Sequence, residues 1–160
     1  MSETSSLGRK ERLRKATFKY SAKKIKESEW LWEGWIEKGE VTLVAGRGKI
    51  GKGWVTADIV GKLINNKSLF EQPPLGEELK ALLISFEDDP EKTIKNRMIM
   101  HLGHSDRNLF GIDTMEFNDL NISNEVDYEF LNEFIKENNI DIVVIDPIKM
   151  MLKEVDDTKE

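Results

Sequence analysis

The sequence contains no cysteine among its 160 residues, which excludes disulfide bonds and thiolate metal sites. No apolar run approaches the ~20 residues that a membrane-spanning helix needs. The polar N-terminus also lacks the apolar segment of a signal peptide. These absences predict a soluble, cytoplasmic protein that does not enter a membrane. Apolar residues make up 39% and charged residues 34% of the chain, a balance that still allows one domain with a substantial core.

Charge is distributed unevenly along the chain. Residues 1–26 carry nine lysines and arginines against two glutamates, a net charge of +7, although the whole chain carries −6. We therefore divide the chain into a basic, flexible N-terminal arm, residues 1–27, and an acidic domain, residues 28–160. Such an arm either contacts nucleic acid or an acidic subunit, or remains a solvated tail. The acidic domain argues against a broad DNA-binding face within this chain.

Hydrophobic periodicity predicts strands that alternate with helices. Apolar runs predict buried strands at 41–45, 79–86 and 140–145, and shorter strands around Leu109 and at 115–117. Helical spacing and helix-start signals predict helices over 54–64, from Pro90 to about Leu102, and over 125–138 with Asn124 or Ser123 as its cap. This alternation is typical of an α/β fold with a mostly parallel sheet.

A glycine-rich segment, GRGKIGKGW, lies between the first of these strands and the first helix. It nearly matches the phosphate-binding pattern G-x-x-x-x-G-K-[ST]. Glycines allow successive backbone N–H groups to point at phosphate oxygens, and the helix N-terminus adds a partial positive charge. Lys52 would reach the β and γ phosphates as a point charge. We therefore predict a nucleotide-binding loop made of Gly46, Arg47, Gly48, Lys49, Ile50, Gly51, Lys52, Gly53 and Trp54.

Acidic residues follow the two other long strands. Asp146 closes the run IVVI, the form of a Walker B element, in which the carboxylate holds Mg²⁺; the alternative is an ordinary buried strand that ends in a capping acid. Glu87 directly follows the strand predicted at 79–86 and would polarise the water that attacks the γ-phosphorus. The alternative there is an acidic helix start, a role that suits Asp88 and Asp89. Parallel strands would bring Asp146 and the loop to one sheet edge.

With these three motifs in order, the sequence resembles RecA-fold ATPases of the RepA-like hexameric helicase type, AAA-family ATPases of plasmids and phages. The matching stretches are WLWEGWIEKGEVTLVAGRGKIGKGW, LLISFEDDPEKTIKNRM and DIVVIDPIKMML, and the resemblance covers roughly 30–152. It implies a three-layer, RecA-like P-loop fold with ATP and Mg²⁺ as cofactors. It assigns catalytic roles to Glu87 and Lys52, the metal site to Asp146, and a family arginine to Arg97.

The resemblance further implies a DNA-dependent ATPase or helicase of plasmid or phage replication, which hydrolyses ATP in its full-length form. Single-stranded DNA and a homo-oligomer, a hexameric ring, are the partners it implies. Two departures stand against this: Gly53 replaces the Ser or Thr that contacts magnesium, and the core is expected to be incomplete at its C-terminal side. The alternatives are a non-hydrolysing nucleotide-binding or subunit-interaction module, and a recombinase or repair-type RecA-like ATPase.

Overall fold

The structure, a computed structural model, describes residues 10–12, 14–15, 27–102 and 108–152. Most of the expected basic arm, residues 1–27, lies outside these described residues. No helix among them is long and apolar enough to cross a bilayer. The regular elements in chain order are β1 (Trp30–Trp32), β2 (Ile36–Glu37), α1 (Lys52–Ile64), β3 (Ala81–Ser85), a π-helical turn (Pro90–Ile94), α2 (Lys95–Leu102), β4 (Leu109–Ile112), α3 (Glu125–Asn138), β5 (Ile142–Asp146) and α4 (Ile148–Met151).

The central sheet has three parallel strands in the order β4-β3-β5. Ala81 of β3 pairs with Leu109 of β4 and with Ile142 of β5, and the register continues without a break along both neighbours. The carboxyl ends of the three strands therefore lie at one edge of the sheet. The parallel α/β arrangement expected from the sequence is confirmed for these strands. β1 and β2 form a separate antiparallel hairpin.

Alternate residues of β3 face two different helical layers. Ala81 and Leu83 pack with Val60 of α1 and Met98 of α2. On the opposite face, Leu82 packs with the cluster that contains Leu131 of α3. Because successive side chains of a strand point to opposite faces, a strand covered on both sides is apolar along its whole length. The helices of both layers thus fix the strand ends that form the site.

α3 begins and ends where the sequence predicts, because its first turn is capped. The side chain of Asn124 accepts hydrogen bonds from the backbone N–H groups of Val126, at 2.9 Å, and Asp127, at 3.4 Å. These bonds satisfy two of the donors that every helix leaves unpaired at its N-terminus. Leu131 is buried, as expected for the apolar face, whereas Val126 is 72% exposed. The predicted apolar face of this helix is therefore only partly covered.

Two predicted strands are wrong. Residues 41–45 are irregular, with Val41 95% and Leu43 75% exposed, and residues 115–117 form a turn and its exit. An apolar run becomes a buried strand only where a neighbouring strand binds its backbone and layers cover both faces. Among the described residues no strand pairs with the outer edge of β5. The segment 41–45 instead leaves the hairpin, where the Thr42 hydroxyl donates to the Trp35 carbonyl oxygen at 3.2 Å.

Candidate functional site

The glycine-rich loop joins the exposed segment 41–45 to the first turn of α1. Residues 46–50 are exposed, and Gly51, directly before the helix, has a φ of 93° in the left-handed region. A side chain is strained in that conformation, so glycine permits the sharp entry into the helix. The Gly51 carbonyl oxygen accepts from the backbone N–H groups of Trp54, at 3.0 Å, and Val55, at 3.1 Å. The loop therefore leads directly into a helix N-terminus, as the motif requires.

The ammonium group of Lys52 is bound by the carbonyl groups of its own loop. Its Nζ donates to the carbonyl oxygens of Gly46, at 3.1 Å, and Arg47, at 3.0 Å. Both bonds are exposed to solvent, where water competes for each partner, so they contribute little net stability. A phosphate oxygen is a stronger, charge-assisted acceptor for the same group. Lys52 thus lies at the loop and would bind a phosphate by exchanging two weak partners.

Asp146 lies at the carboxyl edge of the sheet beside the end of β3. Ser85 and Asp146 are the last register partners of the two strands, and the Phe86 N–H donates to the Asp146 carbonyl oxygen at 2.9 Å. The Thr114 hydroxyl donates to the Ser85 carbonyl oxygen. These contacts fix the strand ends from which the acidic segment 87–89 departs. Asp146 and the acidic segment 87–89 therefore lie at the same edge of the sheet.

A pocket opens at this edge between α1, α2 and the strand ends. It is lined by apolar side chains of the core, by Gly53, and by five polar or charged side chains: Thr56, Ser85, Asp88, Arg97 and Asp146. Gly53 and Asp146, two of the predicted site residues, therefore share one pocket. Lys52 and Glu87 do not line it. The pocket thus adjoins the loop at the second residue of α1.

Glu87 is exposed, and within the described part of the chain its carboxylate makes no hydrogen bond or ion pair. The neighbouring acids are engaged instead. Asp89 accepts from the Lys92 N–H at 2.9 Å and so caps the helical turn, as the sequence suggested. Asp88 does not cap that turn; its carboxylate turns to Arg97, and its N–H donates to the Ser85 hydroxyl at 3.2 Å.

Arg97 forms the strongest polar contact of the pocket. Its Nη1 lies 2.5 Å from Oδ2 of Asp88, and its Nη2 lies 3.4 Å from Oδ1. Both side chains are more than two-thirds buried, at 22% and 28% exposure. The guanidinium also lies over the Trp54 ring, with Cζ 5.6 Å from the ring centroid. A fork-shaped pair and a cation–π contact together fix the orientation of Arg97.

The same guanidinium fills the space beside Gly53. A Cβ atom at residue 53 would lie 2.8 Å from Arg97 Nη1 and 3.7 Å from its Cζ. Side-chain carbons do not approach a neighbour so closely, so a serine or threonine here would displace the guanidinium. Such a shift would disturb its contacts with Asp88 and Trp54. The glycine that breaks the sequence motif therefore fits the present position of Arg97.

These residues do not fit the magnesium site that the motif implies. The hydroxyl ligand is missing at residue 53, and a cation lies beside that residue, with Arg97 Nη1 2.8 Å from where a Cβ would be. Two positive charges a few ångströms apart repel each other. Asp146 remains, but no group of three or more histidines, aspartates or glutamates among the described residues could hold a metal ion.

Sequence reasoning missed Asp88 as a site residue and assigned it to a helix cap. Arg97 entered only through the resemblance, without a partner. The signal was present as the departure at Gly53, since a motif that loses a side chain makes room for another group. Which group takes that space depends on how α2 packs on α1, a tertiary relationship that residue spacing does not reveal.

The family model described as an AAA domain (AAA_25) matches residues 8–160, almost the whole chain. No curated protein and no solved structure matches the chain.

Proposed function

The chain belongs to the AAA domain family and is a nucleotide-binding ATPase domain of the P-loop kind, and we propose that its nucleotide is ATP, bound by residues 46–54. The observation that carries this proposal is the position of Lys52. It is the first residue of α1, and its Nζ lies 3.0 and 3.1 Å from two carbonyl oxygens of the loop. An ammonium group held at a glycine loop and a helix N-terminus is the arrangement that phosphate binding needs.

Equilibrium binding of a fluorescent ATP analogue tests this proposal. We expect the wild-type chain to bind and Lys52→Ala to lose about tenfold or more in affinity, because one charge-assisted contact to a phosphate is removed. Lys38→Ala is the control for loss of positive charge, since Lys38 is an exposed lysine outside the loop. Equal losses in both variants would show only a general effect of positive charge. An unaffected Lys52→Ala would exclude the loop as the phosphate site.

The finer proposal is a DNA-dependent ATPase of the replicative helicase kind, related to those of plasmids and phages and active as a homo-oligomeric ring. Its support is the order and spacing of the three motifs, together with the common edge of Ser85 and Asp146. In this proposal Glu87 orients the attacking water. We expect Glu87→Gln to abolish hydrolysis while leaving binding unchanged. Light scattering with and without nucleotide would measure the assembly.

An exposed aromatic stack supports single-stranded DNA as the polymer ligand. Trp32 stacks on Trp35, with ring centroids 5.2 Å apart, and on Phe70, with centroids 4.7 Å apart. Trp35 is 68% exposed, so its ring is accessible to a nucleobase, and aromatic rings of this kind stack on bases regardless of sequence. Trp35→Ala should weaken binding of an oligothymidylate, whereas Phe117→Ala, an exposed aromatic on another part of the surface, should not.

A second candidate is a nucleotide-binding or subunit-interaction module that does not hydrolyse ATP. The observation that favours it is the absence of a hydroxyl at residue 53, where the Arg97 guanidinium lies beside the glycine. The two candidates differ in one measurement, phosphate release by the wild-type chain with single-stranded DNA at high protein concentration. Release that Glu87→Gln abolishes supports the ATPase. Nucleotide binding without any release supports the module.

A further inference from the structure

The Arg97 guanidinium lies beside Gly53, the residue at which the motif usually carries the metal-binding hydroxyl. We propose that the Arg97 guanidinium takes the place of the Mg²⁺ ion and its hydroxyl ligand, so that this site binds nucleotide phosphates through Lys52 and Arg97 without a divalent cation. The proposal rests on the proposed function, because it concerns the same loop. It adds Arg97 as a second phosphate-binding residue, and it identifies the metal-free nucleotide as the form that this site binds.

The first support is steric. A side chain at residue 53 and the guanidinium in its present position exclude each other, because a Cβ there would lie 2.8 Å from Nη1. A serine or threonine at residue 53 would therefore require the guanidinium to shift from its present position, whereas the glycine does not. A motif that had merely lost its metal ligand would leave an open space at this point. Here the space is filled by a group with the charge of a cation.

The second support is the number of donors that remain. A guanidinium carries five N–H groups in a planar fork, and Asp88 receives one from Nη1 and one from Nη2. Within the described part of the chain the remaining N–H groups form no hydrogen bond, so phosphate oxygens could accept from them without loss of the ion pair. Arginine binds phosphate in the same forked geometry that it uses with carboxylates. Asp88 and Trp54 would thus hold the donor group in place before a nucleotide arrives, which lowers the entropic cost of binding.

The third support is the position of the guanidinium relative to the loop. Gly53 directly follows Lys52, so one cationic side chain belongs to the first turn of α1 and the other lies against that turn. Phosphates bound at this helix N-terminus would meet Lys52 from the loop side and Arg97 from the pocket side. Both groups carry a single charge and neither needs a metal ion to act. A magnesium ion at the same place would be repelled by Arg97.

The experiment compares the dissociation constant of a fluorescent ATP analogue in excess Mg²⁺ and in excess EDTA. For the wild-type chain we expect the two values to agree within about threefold, since the phosphate contacts come from side chains. Arg97→Ala should weaken binding by about tenfold or more in EDTA, because it removes charge-assisted hydrogen bonds. Lys92→Ala is the control, because it removes one positive charge from a nearby side chain that is 86% exposed.

Substitutions at residues 53 and 97 distinguish a role of Arg97 in phosphate binding from a purely structural role. Gly53→Ser alone should weaken binding in both solutions, because serine displaces the guanidinium. Gly53→Ser combined with Arg97→Ala should regain affinity in Mg²⁺ but not in EDTA, because the hydroxyl then has room to hold the ion. If Arg97 had only a structural role, these substitutions would not change how strongly nucleotide affinity depends on Mg²⁺. If Arg97→Ala fails to fold, the wild-type comparison and Gly53→Ser still decide the question.

Three results would contradict the proposal. A wild-type affinity that falls tenfold or more in EDTA overturns it while leaving ATP binding intact. In that case Thr56→Val tests whether Thr56, which lines the same pocket, supplies the missing hydroxyl. Binding that is unchanged by Arg97→Ala overturns it as well. Binding in neither solution overturns this proposal together with the proposed function, and so distinguishes the two failures.

Discussion

The Nζ atom of Lys52 lies 3.1 Å from the carbonyl oxygen of Gly46, so the cation of the loop is bound by the loop itself. The same Nζ atom also donates a hydrogen bond to the Arg47 carbonyl oxygen, at 3.0 Å. These two hydrogen bonds, which we call the clasp, connect the Lys52 side chain to the backbone segment that would surround phosphates. Nucleotide binding must replace these two bonds with bonds to phosphate oxygens.

The clasp predicts a local effect of Lys52→Met on the loop. Methionine keeps the apolar stem but loses the ammonium, so we expect faster amide hydrogen exchange across residues 46–51. The free energy of unfolding should change by less than about 1 kcal/mol, because both bonds are exposed to solvent. Hydrogen exchange by mass spectrometry and urea unfolding measure the two effects. Lys49→Met is the control from the same loop, and equal exchange in both variants would contradict the clasp.

The exposed apolar segment 41–45 predicts that its side chains contribute little to stability. Leu43 is 75% exposed, whereas Leu82 of β3 is 0% exposed. We expect Leu43→Ala to change the unfolding free energy by less than about 0.5 kcal/mol. The same truncation at Leu82 should cost about 2–5 kcal/mol, since it opens a cavity between two layers. Urea denaturation compares them, and a loss above about 2 kcal/mol at Leu43 would favour the buried strand that the sequence predicts.

β3, β5, α1 and α3 could be predicted because their signals are local. A run such as Leu82–Ser85 between turn residues, or Asn124 before an amphipathic helix, contains the information that determines the element. Segment 41–45 is a similarly apolar run of five residues, but it does not form a strand. The difference is the presence of neighbouring strands, which no apolar run specifies for itself. Val126 is exposed for a similar reason, because nothing in the described part of the chain covers that end of α3.

The site was predictable only as far as motifs define it. The loop and Asp146 follow from residue spacing, and the sheet register then brings Asp146 beside Ser85. The contact of Arg97 with Asp88 joins residues nine positions apart across a π-helical turn. That turn changes which face α2 presents, so neither the pair nor its approach to Gly53 can be derived from helical spacing.

The cap of α3 predicts a specific loss on removal of one side chain. Asn124→Ala should destabilise the chain by about 1 kcal/mol, because two backbone N–H groups lose their acceptor. Asn124→Asp retains an acceptor and should keep most of the stability. Ser123→Ala is the neighbouring control, since the Ser123 backbone N–H bonds to Asn121 while the cap comes from Asn124. Urea unfolding of the four proteins tests this, and a loss as large at Ser123 as at Asn124 would contradict the assigned cap.

The left-handed conformation of Gly51 predicts that a methyl group there is harmful although no atom obstructs it. Its φ is 93°, and a Cβ would meet nothing within 4 Å. The cost of Gly51→Ala is therefore conformational, about 1–2 kcal/mol. Gly48 also has open space around a Cβ, without a left-handed φ, so Gly48→Ala should leave the unfolding free energy within about 0.5 kcal/mol of the wild-type value.

We also expect weaker binding of the ATP analogue by Gly51→Ala, since relief of the strain would shift the loop away from the start of α1. If both alanine variants were equally stable and bound equally well, the turn into the helix would not depend on the conformation of Gly51.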